Sequence, residues 1–272
     1  MTLGAVAAGV VAACIPAGNS TPSDAGPTTA SVPAASQVRP APNIMTTTFE
    51  DNFDRAPGGP APISSAPALT DAASAEGGAV SASAASSGGL GPDWYQAQTS
   101  VWHLENGKLC GRDAHNHGVW LKRVLPVNAR IEFDAIADST DGDLKAEVWG
   151  DGQSAATGIS YTNATSYLTI LGGWKNTLHV LARINEHGSD RKVIKIDKDS
   201  DDPREKPVTA GQAYHFKVER SDGKTVRWFV DGLEYLTYPD GAPLAGLGHD
   251  HFGFNDWEVK VCFDNVKVTP LP

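Results

Sequence analysis

From Trp94 onward, apolar and polar residues alternate along the chain. In RIEFDAIAD (130–138), Ile131, Phe133 and Ala135 fall on one side, and Arg130, Glu132 and Asp134 on the other. In DLKAEVWGD (143–151), Leu144, Ala146 and Val148 oppose Lys145, Glu147 and Trp149. AYHFKVER sets Tyr214, Phe216 and Val218 against His215, Lys217 and Glu219, and TVRWFVDG sets Val226, Trp228 and Val230 against Arg227 and Phe229. A period of two is what half-buried antiparallel strands require, because successive side chains point to opposite faces. Turn signals separate the runs: Asn106-Gly107 in ENGK, Asp222-Gly223 in SDGK, and Asp231-Gly232. Such dipeptides favour tight hairpins. No segment shows a convincing helical period. The pattern predicts an all-β sandwich of two antiparallel sheets.

Composition narrows the part of the chain that can fold. All seven Trp lie between Trp94 and Trp257, and every Phe and Tyr lies at or beyond Phe49. Segment 15–48 has no aromatic residue and only two charges, Asp24 and Arg39. Ala, Ser, Thr and Pro bury too little apolar surface to offset chain entropy, so this segment reads as a disordered linker. A second low-complexity run, 56–92, carries only Asp71 and Glu76 as charges and reads as a loop insertion. The folding domain is then 49–272 with that insertion inside it. The net charge of −10 argues against a nucleic-acid partner, since binding phosphate needs a basic face.

The chain begins MTLGAVAAGVVAACIP. Leu3 to Ala13 is too short an apolar run to span a bilayer but suits a signal-peptide core. V-A-A-C resembles a bacterial lipobox, which implies cleavage and lipidation at Cys14, and hence 1–14 as signal segment. Met1-Thr2-Leu3 departs from the pattern by lacking Lys and Arg. Ile15 after the cysteine points, by resemblance to known sorting rules, to the outer membrane or cell surface. The expected membrane contact is through a lipid anchor. Two further cysteines, Cys110 and Cys262, permit one disulfide in an exported domain, with a pair of buried thiols as the other reading.

The series DNFDR, GPDWY, VWHLENGKLCG, NARIEFDA, YLTILGGWKN, ARINEHG, TAGQAYHFKVER, VRWFVDG, GHDHFGFNDW and VCFDNVKV resembles the concanavalin A-like lectin and glucanase superfamily. Within it, the likeness is to bacterial jelly rolls of the LamG-like or 3-keto-disaccharide hydrolase type. The resemblance implies two curved antiparallel sheets, with sugars met on the concave face or at the loop rim. It specifies fold better than function.

Several residues are candidates for chemistry. Laminarinase-type relatives use an E-x-D-x-E strand; Glu132 and Asp134 match its first two acids, but position 136 is Ile and 137 is Ala. Without a third acid to protonate the leaving oxygen, that mechanism stops. A fallback catalytic set adds Glu147 from the following strand. Trp174, Arg183, Glu186 and His187, joined by Trp149 and Trp257, have the types a sugar site needs: aromatic faces for stacking and charged groups for hydroxyls. His115 and His117, and His249 and His251, form two His-x-His pairs that read as polar loop residues, with metal binding the sharper alternative. The resemblance further implies a structural calcium between the first and last strands, held by Glu50 and Asp264. No other cofactor is expected. The leading expectation is a lipid-anchored surface module that binds polysaccharide or glycoconjugate without turnover. A glycan-active hydrolase or lyase is the second reading, and a structural envelope lipoprotein the third.

Overall fold

In the computed structural model, residues 43–55, 89–99 and 101–272 are described, and they belong to one compact unit, Pro42–Pro272. Expectations for Cys14 and for 56–88 concern residues outside that set.

Alternation becomes strand wherever it was strongest. The strands are β1 (Phe49–Asp51), β2 (Trp94–Gln96), β3 (His103–Glu105), β4 (Lys108–Gly111), β5 (Val119–Leu121), β6 (Ala129–Ala137), β7 (Leu144–Gly150), β8 (Tyr167–Gly172), β9 (Leu178–Arg183), β10 (Lys192–Lys195), β11 (Ala213–Arg220), β12 (Thr225–Val230), β13 (Leu233–Pro239), β14 (His251–Asn255) and β15 (Val261–Pro270). One sheet has the order β13-β12-β11-β6-β15-β4-β3, with β1 beside β15. The other has the order β10-β9-β8-β7-β14-β5-β2. Every ladder between these strands is antiparallel. This is the jelly-roll sandwich expected.

The core between the sheets is aromatic. Phe254 of β14 stacks on Phe263 of β15 with ring centroids 3.9 Å apart, and Phe133 packs on Phe216, Phe252 and Phe254. Burial of such rings out of water is the main force holding the layers together. Strand β6 alternates buried and half-buried residues along its whole length, so one face meets the core and the other meets solvent. Strand β7 is buried on both faces, because the segment 151–166 that follows it folds back over its outer side. A second apolar cluster, Tyr161, Ala164, Leu168, Ile170, Val180 and Ala182, lies there.

Two hairpins follow the turn chemistry. Asn106 and Gly107 both have positive φ, as do Asp231 and Gly232, which is the geometry that two-residue turns between twisted strands need. Cys110 and Cys262 sit opposite each other on β4 and β15 and form a disulfide.

Two boundaries differ from expectation. Residues 43–48, assigned to the linker, join the body: Met45 donates its N–H to Val124 O, and its side chain packs against the core. Leu90, assigned to the insertion, is wholly buried. In both places a few apolar residues at the end of a low-complexity run are captured by the core.

Candidate functional site

The outer face of the seven-stranded sheet carries an unusual density of buried charge. Lys145 and Glu147 project outward from β7, where 151–166 covers them. Glu147 Oε2 accepts hydrogen bonds from Ser166 Oγ at 2.6 Å and Tyr161 Oη at 3.1 Å, and Oε1 accepts from Asn255 Nδ2 at 2.6 Å. Burial lifts its carboxyl to about 7, against the pull of these three donors. The Tyr161 backbone N–H donates to Glu186 Oε1 at 3.0 Å. Two buried carboxylates therefore pin the covering segment to the sheet.

Lys145 Nζ donates to Asn116 Oδ1 at 2.6 Å and to Glu186 Oε2 at 3.1 Å, with Asp143 Oδ1 at 4.0 Å. Burial disfavours its charge, but Asp143 and Glu186 outweigh burial and hold the ammonium more firmly protonated than an ordinary lysine. Near it lies Asp256, wholly buried, with an Oδ1 that meets no donor. Burial, then the charge of Asp143, raises its carboxyl to about 8.

Above this layer a cavity of about 460 Å³ opens to solvent. Lys145, Asn116 and Glu186, all nearly inaccessible, form its floor. Half-buried Trp174 and Trp257 contribute aromatic surface. Each Trp is braced by a histidine edge: His187 against Trp174 at 5.3 Å and His115 against Trp257 at 4.8 Å. Arg191 adds its guanidinium over the Trp174 ring at 5.0 Å. Rigid aromatic surface beside fixed polar groups is what a sugar-sized ligand needs.

Trp174 reaches the cavity from a strained turn. At the end of β8, Gly172 has φ 73, and Trp174, Lys175 and Asn176 follow with φ of 52, 56 and 60. Left-handed backbone costs an L-residue roughly 1–2 kcal/mol each, so the surroundings must hold it. Asn176 Nδ2 donates to Thr140 O and Val208 O, and its Oδ1 accepts from Val208 N–H. The Gly172 N–H donates to His179 Nδ1 at 3.0 Å, on a ring whose burial keeps it neutral, with its pKa lowered to about 4.

Of the sequence candidates, Trp174, Glu186, His187 and Trp257 meet at this cavity. Trp149 does not. Its φ of 54 and a register shift between β7 and β14 turn it inward, where it donates to Pro126 O and stacks under Arg220. Arg183 is absent from the lining and pairs with Asp240 at 2.8 Å. The fallback catalytic set is split between layers. Glu132 and Asp134 lie on β6 in the eight-stranded sheet, whereas Glu147 lies on β7 in the other. Asp134 bonds His215 and Asn265, and Glu132 stands opposite Lys217 and Lys267. The three carboxylates share no cleft.

The residues expected to hold calcium do not fit the ion. Glu50 pairs with Lys267 at 2.9 Å and Asp264 with Lys108 at 3.0 Å. Among the described residues no group of three or more His, Cys, Asp or Glu converges as a metal site, whereas calcium takes 6–8 oxygens. Each of the four His-x-His residues has another contact: His115 edges Trp257, His117 bonds Ala114 O, His249 bonds Thr165 O, and His251, on β14 and not in a loop, bonds Asp250. Asn116, Asp143, Lys145 and Asp256 were missed in the sequence. The outward position of Lys145 on its strand was the one available signal.

No protein-family model matches the chain, and no curated protein does either. Solved structures similar to it include the carbohydrate-binding module CBM66 from Bacillus subtilis, at 17% identity and TM-score 0.47, covering 64% of this chain and 94% of that one. A β-glucanase from Bacillus licheniformis is similar at 9% identity and TM-score 0.48, covering 82% and 98%. An alginate lyase in complex with alginate tetrasaccharide is similar at 11% identity and TM-score 0.45, covering 82% and 97%.

Proposed function

We propose that the chain binds a glycan in the cavity between Trp174 and Trp257, and does so without turning it over. The observation that carries this reading is the pairing of two half-buried, histidine-braced tryptophans with a preorganised polar floor in one cavity. Sugar rings present an apolar face to aromatic surface and hydroxyls to charged groups, so both halves of the cavity have a use. Glu147 and Asp256, the carboxyls whose pKa burial raises, are wholly enclosed and cannot reach a bound sugar. They act as supports.

Calorimetric titration against a glycan panel tests the reading. Weak saturable binding is expected, with Trp174→Ala and Trp257→Ala each weakening it about tenfold or more, since one stacked aromatic is worth roughly 1.5 kcal/mol. Binding that survives both substitutions would move the site elsewhere. Release of reducing sugar during the same incubations would establish the hydrolase or lyase reading instead.

The same proposal places the module on the outside of a bacterial envelope, tethered through lipid on Cys14. Support comes from the V-A-A-C motif and the linker after it. Cys14→Ser should move the protein from the membrane fraction to the soluble one; unchanged partitioning would remove the anchor.

A further inference from the structure

Carboxylates outnumber ammonium groups in the cavity, and that excess names a ligand class. Four carboxylates line it, Asp141, Asp143, Glu186 and Glu258, against two ammonium groups, Lys145 and Lys175. Lys145 is already engaged by Glu186 and Asn116. Lys175 lies on the Trp174 turn, with Arg191 beside that ring. Two of the four acids are tied to Trp257. Glu258 adjoins Trp257 in sequence, and Asp143 Oδ2 accepts the Trp257 backbone N–H at 2.9 Å.

Asp143 is the central group. It has φ 66 and follows Gly142 at φ 75, and its N–H donates to Gly172 O at 3.0 Å. This left-handed pair therefore packs on the turn that carries Trp174. One carboxylate oxygen is committed to Trp257. The other, Oδ1, stands 4.0 Å from Lys145 Nζ, beyond hydrogen-bond reach, and no donor among the described residues meets it. A carboxylate with one oxygen anchored and one without a donor, lining the cavity that Trp174 and Trp257 also line, is a receptor for a donor with positive charge. A charged donor gains there from the carboxylate. An anionic sugar would meet like charge.

We propose that the cavity takes an amino sugar with a free ammonium group, seated on the Trp257 side against Asp143 Oδ1, in preference to neutral or uronic-acid glycans. This rests on the glycan-binding reading above and adds to it the charge of the ligand. Three β-1,4-linked oligomers of equal length decide it by calorimetry on the full chain in mildly acidic buffer: glucosamine, glucose and glucuronic acid. The glucosamine oligomer should bind about tenfold tighter than the glucose oligomer, the margin of a charge-assisted hydrogen bond over a neutral one, with the glucuronic acid oligomer weakest. Raising the salt should narrow the gap. In Asp143→Asn, whose amide oxygen can still accept the Trp257 N–H, the glucosamine-to-glucose ratio should fall toward one. Asp141→Asn, at an exposed position, should lower the same ratio by a smaller factor. Glucose or glucuronic acid oligomers binding as tightly as glucosamine, or a ratio untouched by both substitutions, would overturn the inference while leaving glycan binding intact. If none of the three oligomers binds, this inference falls, and the wider glycan panel decides the glycan-binding reading.

Discussion

Asp256 shows how far a single side chain can be displaced from its ordinary chemistry by its neighbours. Its carboxyl is wholly buried, one oxygen meets no donor, and the charge of Asp143 lies nearby. Its pKa rises to about 8 from the ordinary aspartate value of 3.8. Between those two values the folded chain keeps a proton that the unfolded chain has lost. The folded state then binds more protons, so stability falls as pH rises through that window. Glu147, raised to about 7, acts in the same direction. The expected thermal midpoint therefore declines from mildly acidic toward mildly alkaline buffer. Asp256→Asn should flatten that decline and exceed the wild type in midpoint above pH 8. Parallel profiles for the two proteins would show that Asp256 does not carry the effect. None of this was legible in the sequence. An Asp between Asn255 and Trp257 looks like any loop acid until the fold places Asp143 and Lys145 beside it.

At the level of elements, legibility followed the strength of the local signal. The alternation of β6 and β11 and the Asn-Gly and Asp-Gly hairpins were readable because strand period and turn chemistry are local properties. Trp149 was misread because alternation assumes an unbroken pleat. A register shift against β14 breaks it and sends the side chain to the core. The turn 172–176 was hidden for the opposite reason. Trp and Lys have no local preference for left-handed backbone, so long-range bonds hold it, those from Asn176 to Thr140 and Val208 and those of Gly172 to His179 and Asp143. The pairing of Glu132 with Glu147 failed because the chain changes sheets between β6 and β7, which adjacency in sequence does not reveal. One element carries a further prediction. The β3–β4 hairpin joins its sheet through only the pairs Val261–Gly111, Cys262–Cys110 and Phe263–Leu109. The disulfide across the middle pair closes a sequence separation of 152. On the chain-entropy account, that closure stabilises by about 4–5 kcal/mol at most. Guanidinium unfolding should show a large drop in midpoint for the reduced protein, and a similar drop for Cys110→Ala with Cys262→Ala. An oxidised and a reduced protein with one common midpoint would show that the bridge adds nothing.

Over the whole molecule, the low-complexity run that interrupts the domain begins and ends at one point of the fold. Arg55, just before it, donates from Nη2 to Leu90 O at 2.5 Å and from Nη1 to Asp51 Oδ1 at 2.5 Å. Trp94, just after it, donates from Nε1 to the other oxygen of Asp51 at 2.9 Å. Phe53 and Leu90 are both wholly buried, and the Phe53 ring packs on Trp94 at 5.5 Å. Gly91 is required at this join. Its φ is 91, and a Cβ there would lie 2.9 Å from Arg55 Nε. The two ends are thus fastened by bonds that owe nothing to residues 57–88. Replacing 57–88 with a short Gly-Ser linker should leave cooperative unfolding intact. A several-fold shorter loop should also gain about 1–1.5 kcal/mol, since each doubling of length costs about 0.6 kcal/mol. Glycan binding at the Trp174 cavity should be unchanged, because none of the cavity-lining residues belongs to the deleted run. A deletion variant that unfolds without cooperativity, or at a midpoint well below the wild type, would mean that 57–88 contributes to the sandwich. The domain would then not be the continuous jelly roll with a dispensable insertion that its sequence suggests.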